Sequence, residues 1–475
     1  MIEGVYWKVM IRAQSWCVSL TRMRKALLLA TVLEAALLLP ACGGSGDAPG
    51  AQDGSLPGDG GPLPDTTVPV VETGSGSDGA RPDASTVLDG GADAATDAGT
   101  CGASVPDPVL AAKRAACGFV AGDKVAATLD DAAPARAAIQ NLVILTHENR
   151  SFDHMYGTLG AGFEGFPASY ENPTADGGLA FPTHAPTACP PDISHSPASI
   201  TSEWDDGGMN GFLRTDGPEA LWYYDASDHP FYSWLMTTFA ASDRYFCSTL
   251  GNTGDNRRFL YGASGTQTAK NIFTEMDAAG VKWGDYYAAS VPLYNTYTWP
   301  AGYPSTHPYS QFYTDLDAGK LPPVTYLDTP SDEHPPGSMK SGEVLVYEVL
   351  QHAFKSPQWP HMAIVLDYDE GGGFFDHVPP PATCAPSASA ADQAYKVLGI
   401  RVPLAVVSPY ARKGFVSHVE HSHTSVMRLV ELLHDLPAVT DRDANSDALL
   451  DMFDFPCPDF VTPPPLAAMP DGGCP

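Results

Sequence analysis

Two short clusters of oxygen-bearing side chains have the composition of a site for a divalent cation. Glu148 and Asn149 form the first cluster, and Asp369 and Glu370 form the second. Carboxylate and amide oxygens are hard ligands of the kind that divalent cations prefer in proteins. An isolated carboxylate more often caps a helix that begins just after it. Because each cluster directly follows an apolar segment, the sequence favours a metal site over two separate helix caps.

A candidate nucleophile lies in the turn-rich segment 251–258. Thr253 offers a hydroxyl there, and Arg257 offers a guanidinium four positions later. A hydroxyl next to a metal can become an alkoxide nucleophile, and an arginine can hold phosphate oxygens. An ordinary turn with a solvated arginine would show the same loose pattern, so both interpretations stay open at this point.

Several histidines lie in loops that are rich in proline, serine, aspartate or glycine. They are His195, His307, His334, His377, His421 and His423. A loop histidine is usually a surface residue or a local hydrogen-bond partner. Several of them in a chain that also carries carboxylate clusters favour a polar catalytic pocket, although their spatial arrangement does not follow from the sequence.

Alternating apolar and helical segments must position these side chains. Four apolar segments are predicted to be strands, over 141–146, 324–328, 361–366 and 402–408. Two further segments are predicted to be helices, over 342–354 and 424–436. Near-continuous apolar strands separated by helices predict an α/β fold with helices on both faces of a largely parallel sheet. Ligand sites in such sheets lie beyond the carboxyl ends of the strands, which is where both oxygen clusters stand.

The amino-terminal residues predict export. Basic residues follow Met23, an apolar run spans 26–39, and small residues precede Cys42. As a helix this run would be about 21 Å long, too short for a bilayer core of roughly 30 Å. We therefore interpret 1–41 as a signal segment, with Met23 as an alternative start. Cys42 is either the lipid-modified residue that anchors a bacterial cell-envelope lipoprotein to the membrane, or the residue after the cleavage site of a secreted protein.

Composition separates a stalk from the folded part of the chain. Residues 42–100 contain no aromatic side chain and are mostly glycine, alanine, aspartate, serine, threonine and proline. Such a segment cannot bury enough apolar surface to fold, so we predict a disordered stalk. The whole chain of 475 residues carries a net charge of −30, which argues against nucleic acid as a partner because a polyanion would meet an acidic surface.

Seven cysteines follow the stalk, and an exported location would permit them to form disulfides. The pairings that close the shortest loops are Cys101–Cys117 and Cys457–Cys474, but the sequence does not decide the pairing. An odd number of cysteines leaves one thiol free. Their spacing does not match the paired ligands of a zinc site.

Longer motifs in the folded region resemble a known family. The segment 141–159, centred on the run from His147 to His154, strongly resembles the opening motif of the bacterial phosphoesterase family of the alkaline phosphatase superfamily. Further matching motifs follow in the same order, at 242–248, around Thr253, and at 333–335, 369–380 and 423–425. The resemblance implies an alkaline phosphatase-like fold, a three-layer α/β/α sandwich. It also implies a lead-in segment over 101–137, a catalytic domain over 138–437 and a carboxyl-terminal extension over 438–475.

The resemblance implies roles for most of the candidate residues. One divalent metal ion would be bound by Glu148, Asn149, Thr253, Asp369 and Glu370. Thr253 would also be the nucleophile, and the phosphoryl group would be contacted by His334 and, by looser matches, by His195 and His307. The chain departs from the family pattern at Asn252 and Asp255, which replace prolines, and at Asn210, which replaces an aspartate.

The implied activity is hydrolysis of phosphoric esters. The family includes non-specific phospholipases C and acid phosphatases, and the sequence does not separate these two substrate classes. Phosphoryl transfer needs neutralised charge and in-line geometry, which the metal, Thr253, Arg257 and the histidines would supply. The acidic surface disfavours anionic lipids, so the predicted anchor rather than charge would bring the enzyme to a membrane. The alternative is a non-catalytic, surface-anchored binding module that retains the fold.

Overall fold

The structure is a computed structural model that describes residues 101, 107–128, 132–266, 270–288, 305–330, 333–471 and 473. These residues all belong to one compact unit, Ala92–Pro475. The predicted signal segment 1–41 and the predicted stalk 42–100 lie outside the described residues.

Short and long strands are distributed along the whole described region. The strands are β1 (Asn141–His147), β2 (Asn172–Pro173), β3 (Leu179–Ala180), β4 (Thr183–His184), β5 (Trp222–Tyr223), β6 (Ala240–Ser242), β7 (Tyr245–Phe246), β8 (Trp283–Tyr287), β9 (Thr306–Pro308), β10 (Val324–Asp328), β11 (Met362–Tyr368), β12 (Leu404–Val407), β13 (Val416–Ser417) and β14 (His421–Ser422). The four predicted strands correspond to β1, β10, β11 and β12, with ends shifted by two residues at most.

Helices lie between many of these strands and at both ends of the described region. The α-helices are α1 (Pro108–Ala115), α2 (Val125–Thr128), α3 (Ala133–Ala138), α4 (Phe152–Tyr156), α5 (Pro197–Trp204), α6 (Phe212–Asp216), α7 (Pro230–Thr238), α8 (Thr253–Gly262), α9 (Ile272–Ala279), α10 (Tyr309–Asp317), α11 (Met339–Ala353), α12 (His423–His434) and α13 (Asp441–Ala444). The two predicted helices correspond to α11 and α12. Within the described residues, no helix combines the length and apolarity needed to cross a membrane.

Eight strands form one mixed sheet, in the order β13-β6-β12-β11-β1-β10-β8-β9. From β11 to β9 all neighbours are parallel. Strand β12 runs antiparallel to both β11 and β6, and β13 is parallel to β6. The predicted largely parallel sheet is therefore confirmed, whereas the reversed direction of β12 is a feature that apolar composition alone does not predict.

The centre of the sheet is covered on both faces. Every residue of β1 and β11 is buried, and a strand buried on both faces needs a layer of structure on each side. Helices α3, α8, α9 and α12 pack among themselves, and α7, α10 and α11 form a second group. These two groups supply the outer layers of the predicted three-layer sandwich, and full burial of each large apolar side chain between the layers contributes about 1.5–3 kcal/mol.

The segments before and after the predicted catalytic domain pack together at one side of the unit. Lys124 forms an antiparallel bridge with Pro437. Phe119 shares a small apolar cluster with Ala438 and Ala444, and its backbone N–H donates to Asn445 Oδ1 over 3.0 Å. The lead-in and the carboxyl-terminal segment thus stabilise each other.

Disulfides link distant parts of the chain. Cys117 bonds Cys384, and Cys101 bonds Cys457. Neither short-loop pairing forms, because folding brings together cysteines that are far apart in sequence. Cys189 is also in a disulfide, and the thiol of Cys247 is free and buried.

Candidate active site

Parallel pairing of β1 with β11 brings the two oxygen clusters to the same edge of the sheet. His147 at the end of β1 is in register with Tyr368 at the end of β11. The backbone continues this pairing, since Asp369 N–H donates to His147 O over 3.0 Å. Glu148 and Asn149 therefore leave the sheet beside Asp369 and Glu370, as the sequence predicts.

Asn149 connects the sheet to the predicted nucleophile. Its backbone has φ of 64°, a left-handed conformation that asparagine tolerates better than most residues. Its N–H donates to Asp369 Oδ1 over 3.3 Å, and its side-chain Oδ1 accepts from the Thr253 hydroxyl over 3.4 Å. One asparagine thus links Thr253 to the carboxylate cluster.

Thr253 is the first residue of α8, and a departure from the family pattern helps to place it. Asn252 caps this helix, because its Oδ1 accepts from Asp255 N–H over 3.1 Å. An asparagine in this position satisfies a backbone donor that would otherwise lack a partner. Asn252 and Asp255 therefore keep the turn ordered without the usual prolines.

Arg257 is buried and bridges two of the predicted metal ligands. Its Nη2 donates to Glu148 Oε1 over 2.9 Å, and its Nε donates to Asp369 Oδ2 over 3.1 Å. Its side chain is 4% exposed. The structure therefore brings Arg257 to the predicted site, but against the carboxylates, while the neighbouring Arg258 lines the cleft.

Glu370 has one satisfied and one unsatisfied oxygen. Gly372 N–H donates to Glu370 Oε2 over 2.7 Å, while Oε1 is buried without a hydrogen-bond partner among the described residues. The turn that follows requires glycine, since a Cβ on Gly372 would lie 2.3 Å from the carbonyl oxygen of Asn149. This turn lets the backbone of Gly372 approach Asn149 closely.

Burial and crowding of negative charge dominate the electrostatics of the cluster. Burial and then the charge of Glu148 raise the pKa of Asp369 well above its usual range. Burial and then the charge of Asp369 raise the pKa of Glu370. A cation beside these groups would offset both effects, because it favours the ionised carboxylates.

An open cleft of about 910 Å³ gives access to Thr253. Its wall includes His195, Asp192 and Arg258. The ring of His195 lies 5.4 Å from the ring of His334, centroid to centroid. Potential ligand atoms of Asp192, His195 and His334 lie within 4.8 Å of one another. Two of the three predicted phosphate-contacting histidines are thus neighbours, and one of them, His195, lines the cleft.

Backbone carbonyls orient both histidines. His195 Nδ1 donates to Ile193 O over 3.0 Å, and His334 Nδ1 donates to Pro335 O over 2.6 Å. In the neutral tautomer, Nε2 then carries the lone pair. His195 Nε2 lies 4.0 Å from Glu370 Oε1, so this nitrogen faces the unsatisfied oxygen of the carboxylate cluster.

Buried polar groups hold the loop that carries His334. Arg150 Nη2 donates to the carbonyl oxygens of Glu333 and Gly337 over 2.8 and 3.0 Å. The Glu333 carboxylate accepts from the hydroxyls of Tyr232 and Tyr368 over 2.6 and 2.9 Å. Burial raises the pKa of Glu333 to about 8. The sequence could have indicated a role for Glu333, because this residue directly precedes His334 in the motif at 333–335.

His307 lies apart from the other predicted site residues. It belongs to β9 at the edge of the sheet, where its ring stacks on Tyr286 at 4.8 Å. Strands β10 and β8 separate β9 from β1, so the two backbones are about 14 Å apart at the usual strand spacing. The described contacts do not connect His307 with Thr253.

Residues 139–437 match the sequence profile of the Phosphoesterase family. The chain belongs to this family. Its members hydrolyse phosphoric esters, and the chain is accordingly a hydrolase that acts on ester bonds. The resemblance drawn from the motifs is confirmed, and the alternative of a non-catalytic binding module is not favoured.

Proteins similar in sequence to this phosphoesterase include bacterial phospholipases. Phospholipase C B of Mycobacterium tuberculosis is 27% identical over 420 residues, which cover 69% of this chain and 80% of that protein. Non-hemolytic phospholipase C of Pseudomonas aeruginosa is 29% identical, and the match covers 70% of this chain and 58% of that protein. A solved structure from Vibrio parahaemolyticus, described as a protein in the alkaline phosphatase superfamily, aligns with 66% of this chain and 69% of its own at 11% identity and a TM-score of 0.32.

A buried arginine of the phosphoesterase connects two of the matching motifs. Arg401 is fully buried and donates to Asp153 Oδ1 over 2.9 Å and to Asp376 Oδ2 over 3.1 Å. His377 Nδ1 lies 2.6 Å from Asp153 Oδ2. These contacts join the opening motif to the motif at 369–380. The sequence analysis did not predict a role for Arg401, because this residue lies between the motifs at 369–380 and 423–425.

The remaining histidines do not converge on the cleft. His423 Nε2 donates to Tyr368 O over 3.0 Å beneath the sheet edge, and burial lowers its pKa to about 4. His421 contacts Asp451, with 3.2 Å between Nε2 and Oδ1. Of the six loop histidines, His195 lines the cleft with Thr253, His334 lies beside His195, and the others belong to separate networks.

Proposed function

We propose that this chain is an exported, metal-dependent phosphoric ester hydrolase of the phospholipase C or acid phosphatase type, with Thr253 as its nucleophile. The supporting observation is the position of the Thr253 hydroxyl, which opens on the cleft and contacts Asn149. Thr253 also begins α8, and the peptide dipoles of a helix create positive potential at its amino terminus. That potential favours a phosphate group beside the hydroxyl.

The proposed reaction has two steps. Thr253 Oγ1 attacks phosphorus, the bond from phosphorus to the ester oxygen breaks, and phosphothreonine forms. The threonine proton passes to solvent, and protonated His195 or His334 gives a proton to the departing oxygen. Water then attacks the phosphothreonine, its oxygen joins phosphorus, and Thr253 recovers a proton as its bond to phosphorus breaks.

The donor set fits one divalent metal ion. The ligands we propose are Glu148, Asn149, Thr253, Asp369 and Glu370. Four of them present hard oxygens at one edge of the sheet, and the buried Glu370 Oε1 has no other partner among the described residues. When bound, such an ion would favour the alkoxide form of the hydroxyl and polarise the phosphoryl oxygen. The proposed part of Arg257 is to hold Glu148 and Asp369 in place while Arg258, at the cleft, meets the phosphate.

The proposed substrate is a phospholipid with a zwitterionic headgroup, and a small phosphomonoester is the second candidate. The names of the relatives, phospholipase C B and non-hemolytic phospholipase C, support the first. The net charge of −30 disfavours approach to anionic lipids. It does not repel lipids with zwitterionic choline or ethanolamine headgroups. We propose that a signal segment exports the chain and that Cys42 anchors it to the cell envelope.

The test is a comparison of two chromogenic substrates with purified protein. p-Nitrophenylphosphorylcholine reports phosphodiester cleavage, and p-nitrophenyl phosphate reports monoester cleavage. Turnover of the choline ester that is lost with chelator supports a phospholipase C, and turnover of the monoester alone supports a phosphatase. Absence of both with every divalent metal tried would refute the proposed function.

The Thr253→Ala variant tests the nucleophile separately. Turnover is expected to fall on the order of a thousandfold or more, while metal binding largely survives. Thr253→Ser keeps a hydroxyl and is expected to retain part of the activity. Thr237→Ala is the matched control, because this exposed threonine on α7 donates only to backbone carbonyls. Near-normal turnover by Thr253→Ala would exclude the phosphothreonine step.

A further inference from the structure

A second group of potential ligands lies apart from the catalytic cleft. His421, Asp447 and Asp451 place potential ligand atoms within 4.8 Å of one another. The side chain of His421 is fully buried, and those of Asp447 and Asp451 are 21% and 15% exposed. This group, the His421 cluster, joins β14 to the chain after α13.

The two ring nitrogens of His421 have different surroundings. Nε2 lies 3.2 Å from Asp451 Oδ1, and the same aspartate also accepts from the Ser417 hydroxyl. Nε2 is therefore the nitrogen that donates a proton. Nδ1 is buried and has no hydrogen-bond partner among the described residues. It faces Asp447 Oδ1 at 3.6 Å.

A neutral imidazole in this orientation turns its lone pair towards a carboxylate. Two acceptors that face each other in a buried place are unfavourable unless a proton or a metal cation lies between them. Ligands of a tetrahedral metal ion lie about 3.4 Å apart when each bond is about 2.1 Å long. The observed 3.6 Å between Nδ1 and Oδ1 is close to that spacing.

We propose that His421 Nδ1 and Asp447 bind a divalent transition-metal ion such as Zn²⁺, with Asp451 orienting the imidazole through Nε2. A carboxylate that accepts from the second nitrogen of a metal-bound histidine is a recurrent feature of such sites, because it selects the tautomer and orients the ring. An imidazole ligand favours Zn²⁺ over Ca²⁺ or Mg²⁺, which prefer oxygen donors alone.

The surroundings leave room to complete the coordination. His421 and Asp447 line a cavity of about 720 Å³, so water can supply the ligands that the protein does not. Nearby guanidiniums have other partners: Arg442 donates to Ser248 O over 2.7 Å, and Arg114 donates to Thr128 O over 2.6 Å. The metal would join the start of α12 to the segment after α13, away from Thr253.

Titration of chelator-stripped full-length protein with ZnCl₂ in a calorimeter tests this inference. Wild type is expected to bind one more Zn²⁺ per chain than His421→Gln, and Ca²⁺ is not expected to fill the difference. Asp451→Asn should keep the site but weaken it about 10- to 100-fold, since it removes only the orienting contact. His352→Gln is the matched control, because His352 pairs with one aspartate, Asp317, at the surface.

A second measurement guards against a variant that fails to fold. Zn²⁺ should raise the melting temperature of wild type and of His352→Gln more than that of His421→Gln. If circular dichroism shows that His421→Gln is unfolded, Asp447→Asn replaces it with the same expectation. Equal Zn²⁺ stoichiometry and affinity in wild type and in the folded variant would overturn the proposal and leave His421 as an ion-paired imidazolium. The result does not depend on phosphoesterase activity, so it stands or falls separately from the proposed function.

Discussion

The Thr253 hydroxyl lies 3.4 Å from the side-chain oxygen of Asn149, and the backbone N–H of Asn149 donates a hydrogen bond to the Asp369 carboxylate. Asn149 follows β1 and has a left-handed backbone conformation. This residue therefore positions the hydroxyl of Thr253, which lies on α8. Asn149 carries two separable properties, a side-chain amide and an unusual backbone. Substitutions can remove them one at a time.

Asn149→Gly should lower turnover by at least about a hundredfold, because it removes the contact to Thr253 and a proposed metal ligand. Its stability should stay close to that of wild type, since glycine adopts positive φ without strain. Asn149→Ala should lose the same activity and also be about 1 kcal/mol less stable than the glycine variant. Steady-state kinetics and urea unfolding measure both effects, and a fully active glycine variant would contradict the assigned role.

In metal-free protein, Arg257→Ala should destabilise the fold strongly, because it leaves Glu148 and Asp369 without their buried cation. Removing one partner of a buried ion pair typically costs about 3–5 kcal/mol. Arg258→Ala is the neighbouring control, since its partly exposed pair with Asp255 should contribute about 1 kcal/mol or less. Equal losses of unfolding free energy in the two variants would show that the Arg257 bridge is not important for stability.

Chelation should abolish turnover, and an added divalent metal should restore it. Glu370→Gln is expected to need a higher metal concentration for half-maximal activity, because a proposed anionic ligand becomes neutral. Glu219→Gln, a substitution outside the carboxylate cluster, should keep the metal dependence of wild type. Activity that is unaffected by exhaustive chelation would argue against a metal-dependent mechanism.

The pH dependence of stability should reveal Glu343. Burial raises the pKa of this carboxyl from 4.5 to about 7, so the folded state holds its proton at pH values where the unfolded state has lost it. Its contribution is therefore lost as pH rises through the window from about 4.5 to about 7. Glutamine does not titrate, so the stability of Glu343→Gln relative to wild type should increase across that window. Urea unfolding at pH 5 and pH 8 measures the change, and a constant difference would show that the carboxyl is not shifted.

The fold was predictable where the pattern of side chains carries enough information. Strands β1, β10 and β11 are long and apolar, so their positions follow from composition. Strand β8 was not predicted, because Gly284 and the buried Asp285 interrupt its apolar pattern. The direction of β12 could not be predicted, since a buried strand has the same composition whichever way it runs.

The site was predictable to the extent that it follows from the sheet. Parallel strands bring their carboxyl ends together, which is why Glu148 and Asp369 were expected to be neighbours. The partners of Arg257 could not be predicted in this way, because they depend on how α8 is rotated against the sheet. His307 illustrates the limit of loose motif matches, since it lies on the edge strand β9.

The disulfide between Cys101 and Cys457 has a mechanical consequence. A pulling force applied to the chain upstream of Cys101 is shared between the polypeptide that follows Cys101 and, through the disulfide, Cys457. If Cys42 is anchored, tension at the anchor would therefore enter the folded unit both through the lead-in segment and at Cys457. Reduction of the bond would redirect the load to the hydrogen bonds of the lead-in segment.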